Sequence, residues 1–194
     1  MSTMEQVKFL REKTGAGIVE VKKALDEANG DEAKAIDLLK QRGAAKALKK
    51  TEREAKEGLV VSYVHSNKKV GTLLTLLCET DFVARTDEFQ ELGRDIAMHI
   101  AALAPLYIRP EDVPADLVNH ERLIWEEQIK SEGKPQEVVE KILAGKEKKF
   151  REEMSLLSQP FVKNPDQTVS DLLTESIHKI GENIQIGSFV RYEI

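Results

Sequence analysis

The sequence predicts an α+β protein: an N-terminal three-helix unit, a helical linker, and a small antiparallel three-stranded sheet packed with helices and carrying a helical hairpin protrusion. Three observations lead there. Apolar residues recur at helical spacing from Met4 to Leu39, broken twice by glycine. At Gly58 the pattern turns into β-prone runs around a short polar turn. From Glu121 to Glu153 charges of both signs are densely interspersed around a Gly133-Lys134-Pro135 break, as in two exposed helices folded back on each other.

Taken in order, Met4, Val7 and Leu10 share one helical face, as do Ile18, Val21, Leu25 and Ala28, and then Ile36 and Leu39. Thr14-Gly15-Ala16-Gly17 separates the first two helices, Asn29-Gly30 supplies a left-handed stop, and Asp31 caps the third. The bundle is expected to close near Gly43, giving a first domain over 1–43. Residues 44–57, with Ala44-Ala45-Lys46-Ala47-Leu48-Lys49-Lys50, favour a solvated helical linker by propensity. The remainder, 58–194, forms the α+β core. There Leu59 to Val64 and Val70 to Cys78 read as a hairpin about Ser66-Asn67-Lys68. Phe89, Leu92, Ile96, Ile100 and Leu103 mark a long helix ending before Pro105, and Leu106 to Ile108 a short extended piece. Pro114 suits a helix start, and the hairpin spans about 115–153. Thr168 and Asp171 form a capping box ahead of a helix stopped by Gly181. The alternation of Ile184, Ile186, Ser188, Val190 and Tyr192 with Gln185, Gly187, Phe189 and Arg191 predicts the third strand.

Composition limits the function classes. Of 194 residues, 41% are hydrophobic, enough for a buried core, and 29 Lys and Arg against 34 Asp and Glu give a net charge of −5. No global basic field draws such a chain to nucleic acid or membranes. A single cysteine, Cys78, forms neither an intrachain disulfide nor a thiolate metal cluster, as suits a reducing compartment. No leader pattern opens the chain, and no apolar run approaches the roughly 18 residues that span a bilayer. The expectation is a cytoplasmic protein without a membrane partner.

Enzyme motifs are scarce. Gly15-Ala16-Gly17 lacks the third glycine of a dinucleotide loop, because Glu20 stands there and no strand precedes it. His65, His99, His120 and His178 lie at no metal-ligand spacing, so neither a metal nor a cofactor is expected. Cys78 sits in the apolar run from Leu73 and reads as a small buried hydrophobe with a raised pKa, although His65 can approach it across the hairpin as a thiol-enzyme alternative. Seven basic residues against two acidic ones between Lys40 and Lys56 make either a solvated helix or a phosphate-binding stripe, with no aromatic interleaved to stack on bases. Finally, Glu79-Thr80-Asp81-Phe82-Val83-Ala84-Arg85 falls where a strand gives way to a helix. Either Asp81 caps that helix while Phe82 staples into the core, which is the simpler reading, or the pair projects from the surface on a rigid base.

Leu10-Arg11-Glu12-Lys13-Thr14-Gly15-Ala16-Gly17, Lys22-Lys23-Ala24-Leu25 and Glu27-Ala28-Asn29-Gly30-Asp31, followed by Thr80-Asp81-Phe82-Val83-Ala84 and Gln159-Pro160-Phe161-Val162, together resemble bacterial translation elongation factor Ts. The resemblance implies a guanine-nucleotide exchange factor, not an enzyme, for the GTPase elongation factor Tu. It also implies that the N-terminal unit is ubiquitin-associated-like and docks on the GTPase through Lys8, Thr14, Gly15, Gly17, Ile18, Val19, Lys22, Lys23 and Lys50, with Ile18 and Val19 replacing methionines common there. Thr80, Asp81, Phe82 and Val83 would carry magnesium dislocation in the partner, with Phe82 as the wedge. Longer members carry two α/β subdomains where this chain has one. Ser62-Tyr63-Val64-His65 resembles a segment of the missing one, so His65 is expected to contact the GTPase, from the same or a second protomer of a homodimer. The hairpin corresponds to the family's coiled-coil protrusion.

Overall fold

The computed structural model describes residues 3–130 and 135–194. Thr3 opens the first helix, α1 (Met4–Thr14), in a reciprocal capping box with Gln6. Gly15, at φ 66°, ends it in the left-handed conformation that glycine adopts without a Cβ penalty. Helix α2 (Ile18–Glu27) follows, and Asn29 and Gly30, both at positive φ, turn the chain into α3 (Glu32–Lys50) behind the Asp31 cap. Val7, Leu10, Val21, Leu25, Ala35 and Leu39 pack into one core. Met4 and Ile18, placed by periodicity on the same apolar faces, remain 75% and 48% exposed.

The third helix does not close at Gly43. It continues to Lys50, and a Cβ at Gly43 would lie 3.1 Å from the His178 ring, so the glycine lets a later helix cross closely. Ala47 is 1% exposed and belongs to the larger core. The 44–57 segment is therefore helical only to Lys50 and packed along one face rather than solvated all round, because small side chains suffice where two helices approach this tightly.

Strands β1 (Glu57–Val64) and β2 (Val70–Cys78) pair antiparallel, with Leu59 opposite Leu76 and Val61 opposite Leu74. The order is β1-β2-β5, with β5 (Gln185–Glu193) antiparallel on the other side of β2. Here the alternation fails. The register shifts between Thr75 and Leu76 and leaves Gly187 unpaired, where a Cβ would meet Thr75 Oγ1 at 2.6 Å. One extra residue inverts every later side chain. Ile186 and Phe189 therefore face the core, while Val190 and Tyr192, expected beside Ile186, point outward.

A short helix α4 (Asp81–Ala84) leads into α5 (Asp87–Leu103), whose Phe89, Ile96 and Ile100 pack with Leu74 and Leu76 of the sheet. The hairpin is formed by α6 (Ala115–Lys130) and α7 (Gln136–Met154); Gly133 and Lys134 of the expected break lie outside the described residues. The two helices are joined by Arg122 to Glu140 at 2.8 Å and by an edge-to-face contact of Trp125 with Phe150. Tyr107, in the expected extended piece, bridges Ser155 at its root. A two-stranded ribbon of β3 (Pro160–Phe161) and β4 (Asn164–Thr168), not foreseen from sequence, precedes α8 (Val169–Ile180). Thr168 and Asp171 cap α8, and Gly181 at φ 93° stops it.

Candidate partner interface

Residues 79–86 turn a strand end into two successive helix starts. Thr80, extended at φ −129°, is the cap of α4, its hydroxyl accepting from the Val83 N–H, and Thr86 caps α5 in the same way through the Phe89 N–H. Asp81 is the first helical residue, not the cap, and its carboxylate pairs with Arg85 at 2.8 Å. Ala84 is buried and Val83 packs against the core, so a one-turn helix has used its inward side on those two. Phe82 is consequently turned away, and 78% of it is exposed. The staple alternative is thereby overturned.

Sequence reasoning missed what holds this corner. Glu182, just past α8, accepts from the backbone N–H groups of Glu79 and Thr80, both at 3.0 Å, and from the Thr80 hydroxyl at 2.6 Å. The acceptor and its donors lie about a hundred residues apart in the chain, and no local pattern announces such a pairing.

A second exposed apolar patch lies on the three-helix unit. Val19 is 68% exposed, and Ile18 lines a shallow groove with Met4, Val7, Lys8, Arg11 and Glu12. Lys8, Lys22 and Lys23 are exposed around it, Thr14 donates its hydroxyl to the Leu10 carbonyl, and Gly15 and Gly17 form the turn between. The structure does not bring the other two expected contacts to either patch. Lys50 is half-buried and its ammonium donates to the Gly181 carbonyl at 2.6 Å. His65 stands beyond the end of β1, 3.0 Å from the Tyr63 hydroxyl.

The alternatives weaken on geometry. Cys78 pairs in register with Glu57, at the opposite end of the hairpin from His65, so the two cannot meet. The thiol is buried and donates to the Thr80 carbonyl, and burial, then the Glu182 carboxylate, push its pKa up, which disfavours a nucleophilic thiolate. Within the basic stripe, Lys40, Arg42, Lys46, Arg53 and Lys56 pair with Glu175, Glu27, Glu20, Glu79 and Glu54. Those charges are spent internally, and little remains for a phosphate backbone. Among the described residues no three His, Cys, Asp or Glu side chains are grouped to hold a metal, and no helix is long and apolar enough to cross a membrane.

What remains are exposed apolar side chains standing on rigid elements, the anatomy of a protein that engages other proteins by surface contact. Comparison with known proteins specifies the class. Residues 18–194 match the family described as Elongation factor TS. A protein named Elongation factor Ts from Thermosipho melanesiensis is 53% identical over 194 residues, covering 100% of this chain and 99% of that one. Those of Carboxydothermus hydrogenoformans and Thermotoga maritima are 56% and 52% identical, with 89% and 96% of their own lengths covered. The chain belongs to the elongation factor Ts family.

Proposed function

We propose that this protein is the guanine-nucleotide exchange factor of elongation factor Tu, accelerating GDP release so that GTP can reload during polypeptide elongation. It makes and breaks no covalent bond. The observation that carries the reading is the outward Phe82 on a capped, core-anchored turn. In the partner, magnesium bridges the nucleotide phosphates and neutralises their charge, so displacing its surroundings weakens nucleotide binding. Phe82 is the wedge, with Asp81 beside it and Thr80 and Val83 fixing its direction. Thermodynamic linkage requires the factor and the nucleotide to weaken each other equally, at about 1.4 kcal/mol for each tenfold.

The three-helix unit, ubiquitin-associated-like in this reading, docks on the nucleotide-binding domain. Ile18 and Val19 supply its apolar contact, with Lys8, Lys22 and Lys23 around them and the Thr14-Gly15-Gly17 turn shaping the rim. Lys50 serves by holding α3 in place. The factor works in the cytoplasm, with neither cofactor nor direct nucleic-acid contact, as a homodimer. The outer face of the sheet suits that pairing, since Val60, Val64, Leu73, Val190 and Tyr192 lie exposed on it; in this reading His65, beyond the end of β1, contacts a GTPase bound mainly by the other protomer.

The test is stopped-flow release of a fluorescent GDP analogue from elongation factor Tu as the chain is titrated. Release should accelerate and saturate. Release that is unchanged at saturating chain overturns the proposal.

A further inference from the structure

Three consecutive residues after α8 bind two other parts of the molecule, the end of α3 with the turn beyond it and the junction of β2 with α4. The Gly181 carbonyl receives the Lys50 ammonium from the end of α3. The Glu182 carboxylate takes both backbone N–H groups and the hydroxyl at the entrance to α4. Asn183, fully buried, donates its backbone N–H to Glu79 at 2.7 Å and its side-chain amide to the Arg53 carbonyl at 2.6 Å. The position of the Thr80-Asp81-Phe82 corner is thus referred to a segment far along the chain, which also anchors the end of α3.

The chemistry at Thr80 shows why Glu182 matters more than an ordinary hydrogen-bond acceptor. A hydroxyl has one proton to give. Here it is given to the Glu182 carboxylate at 2.6 Å, which leaves a lone pair directed at the Val83 N–H for the helix cap. The Glu79 and Thr80 N–H groups, past the last residue of β2, have their acceptor in the same carboxylate. Charge-assisted bonds of this kind are shorter and stronger than neutral ones. Helix α4 has only one turn with which to hold its own axis, so the direction of Phe82 depends on what grips its entrance.

We infer that Glu182 is a positioning residue for the Phe82 wedge, setting how fast bound factor expels nucleotide rather than how tightly the factor docks. This rests on the exchange-factor reading above. Glu182 meets the corner through Glu79 and Thr80, and it acts on Phe82 through them.

The test uses the full chain and the stopped-flow assay, reading the saturating release rate and the half-saturating concentration separately for wild type, Glu182→Ala, Glu182→Gln, Phe82→Ala and the Glu182→Ala/Phe82→Ala double variant, each checked by thermal melting at the assay temperature. Because an error of about 1 Å in a positioned group can cost a large factor in rate, Glu182→Ala should lower the saturating rate about tenfold and change half-saturation by less than about twofold. Glu182→Gln retains an oxygen for the two backbone donors and should recover most of the rate. In the Phe82→Ala background, Glu182→Ala should add almost nothing, because the group it positions is gone. If Phe82→Ala slows release and Glu182→Ala does not, the inference fails while the exchange reading stands. The inference also fails if the Glu182 effect persists undiminished without Phe82, or appears only in half-saturation. If Phe82→Ala releases nucleotide as fast as wild type, the wedge reading itself fails. Should Glu182→Ala melt below the assay temperature, Thr80→Val carries the same test, with Thr80→Ser as its rescue; a Thr80→Val rate equal to wild type overturns the inference.

Discussion

If the exchange-factor reading holds, truncating Phe82 to alanine separates function from folding. With 78% of the side chain already in water, the covered part is roughly a fifth of a ring that buries about 200 Å² when enclosed, so at about 25 cal/mol per Å² its loss costs at most about 1 kcal/mol. In a protein of this size that lowers the melting temperature by roughly 2–4 °C. Phe89, seven positions on and fully buried, is the control, since removing a core phenylalanine costs about 3–5 kcal/mol. If Phe82 is the anchor of the exchange interface, its truncation removes about 2 kcal/mol or more of differential interaction, a slowing of about thirtyfold in nucleotide release. Differential scanning calorimetry and stopped-flow release on the same preparations decide the matter. A melting temperature that drops as far as in Phe89→Ala would show the ring packed in the fold after all, and an unaltered release rate would remove its role as wedge.

Gly93 of α5 faces the sheet, and a Cβ there would stand 2.7 Å from Val61 Cγ2, so Gly93→Ala should destabilise by about 1–3 kcal/mol in urea unfolding despite its better helix propensity. His99 is fully buried, its Nδ1 accepting from the Val162 N–H and its Nε2 facing Gln159 at 3.0 Å, and burial lowers its pKa despite the Gln159 bond. The unfolded chain then takes up the proton first, so the His99 contribution is complete above about pH 6.5 and declines as pH falls from there toward the folded pKa. Urea midpoints measured between about pH 7.5 and pH 5 should fall less steeply in His99→Gln than in wild type, and equal slopes would refute this. If the proposed homodimer forms through the outer sheet face, replacing Val64 and Tyr192, 65% and 71% exposed there, by glutamate should convert dimer to monomer in sedimentation with melting otherwise little changed; a wild type that sediments as a monomer, or a coefficient unaltered by the substitutions, would refute pairing through this face.

Most of the fold was legible because its signals are local. The capping box of Thr168 and Asp171, the left-handed turn at Asn29-Gly30 and the hairpin about Ser66-Asn67-Lys68 each follow from a few adjacent residues. What escaped was set by residues distant in sequence. Alternation in β5 grouped Val190 and Tyr192 with Ile186, but Gly187 accommodates a bulge against Thr75 and reverses the parity. The bundle was expected to close near Gly43, which is instead the place where α3 meets His178 of α8. The Thr80–Val83 corner was found as a motif, yet sequence alone could not orient it. An aromatic after a helix cap staples inward or projects outward according to which neighbours fill the core side, and here Val83 and Ala84 do so.

The charge pattern had a similar ambiguity, and its resolution bears on how a protein of net charge −5 presents itself to a partner. The basic run from Lys40 to Lys56 read as either a solvated helix or a phosphate-binding stripe, but four of its seven cations are matched to Glu20, Glu27, Glu79 and Glu175 from four other places in the chain. Exposed pairs of this sort stabilise little individually. Their consequence is instead that much of the long-range field of the stripe is cancelled, so that the proposed docking rests on the apolar patches and the exposed Lys8, Lys22 and Lys23 rather than on this stripe. Association with a partner should then depend only weakly on ionic strength in its dissociation rate, because salt screens steering between separated charges far more than it loosens a desolvated aromatic anchor.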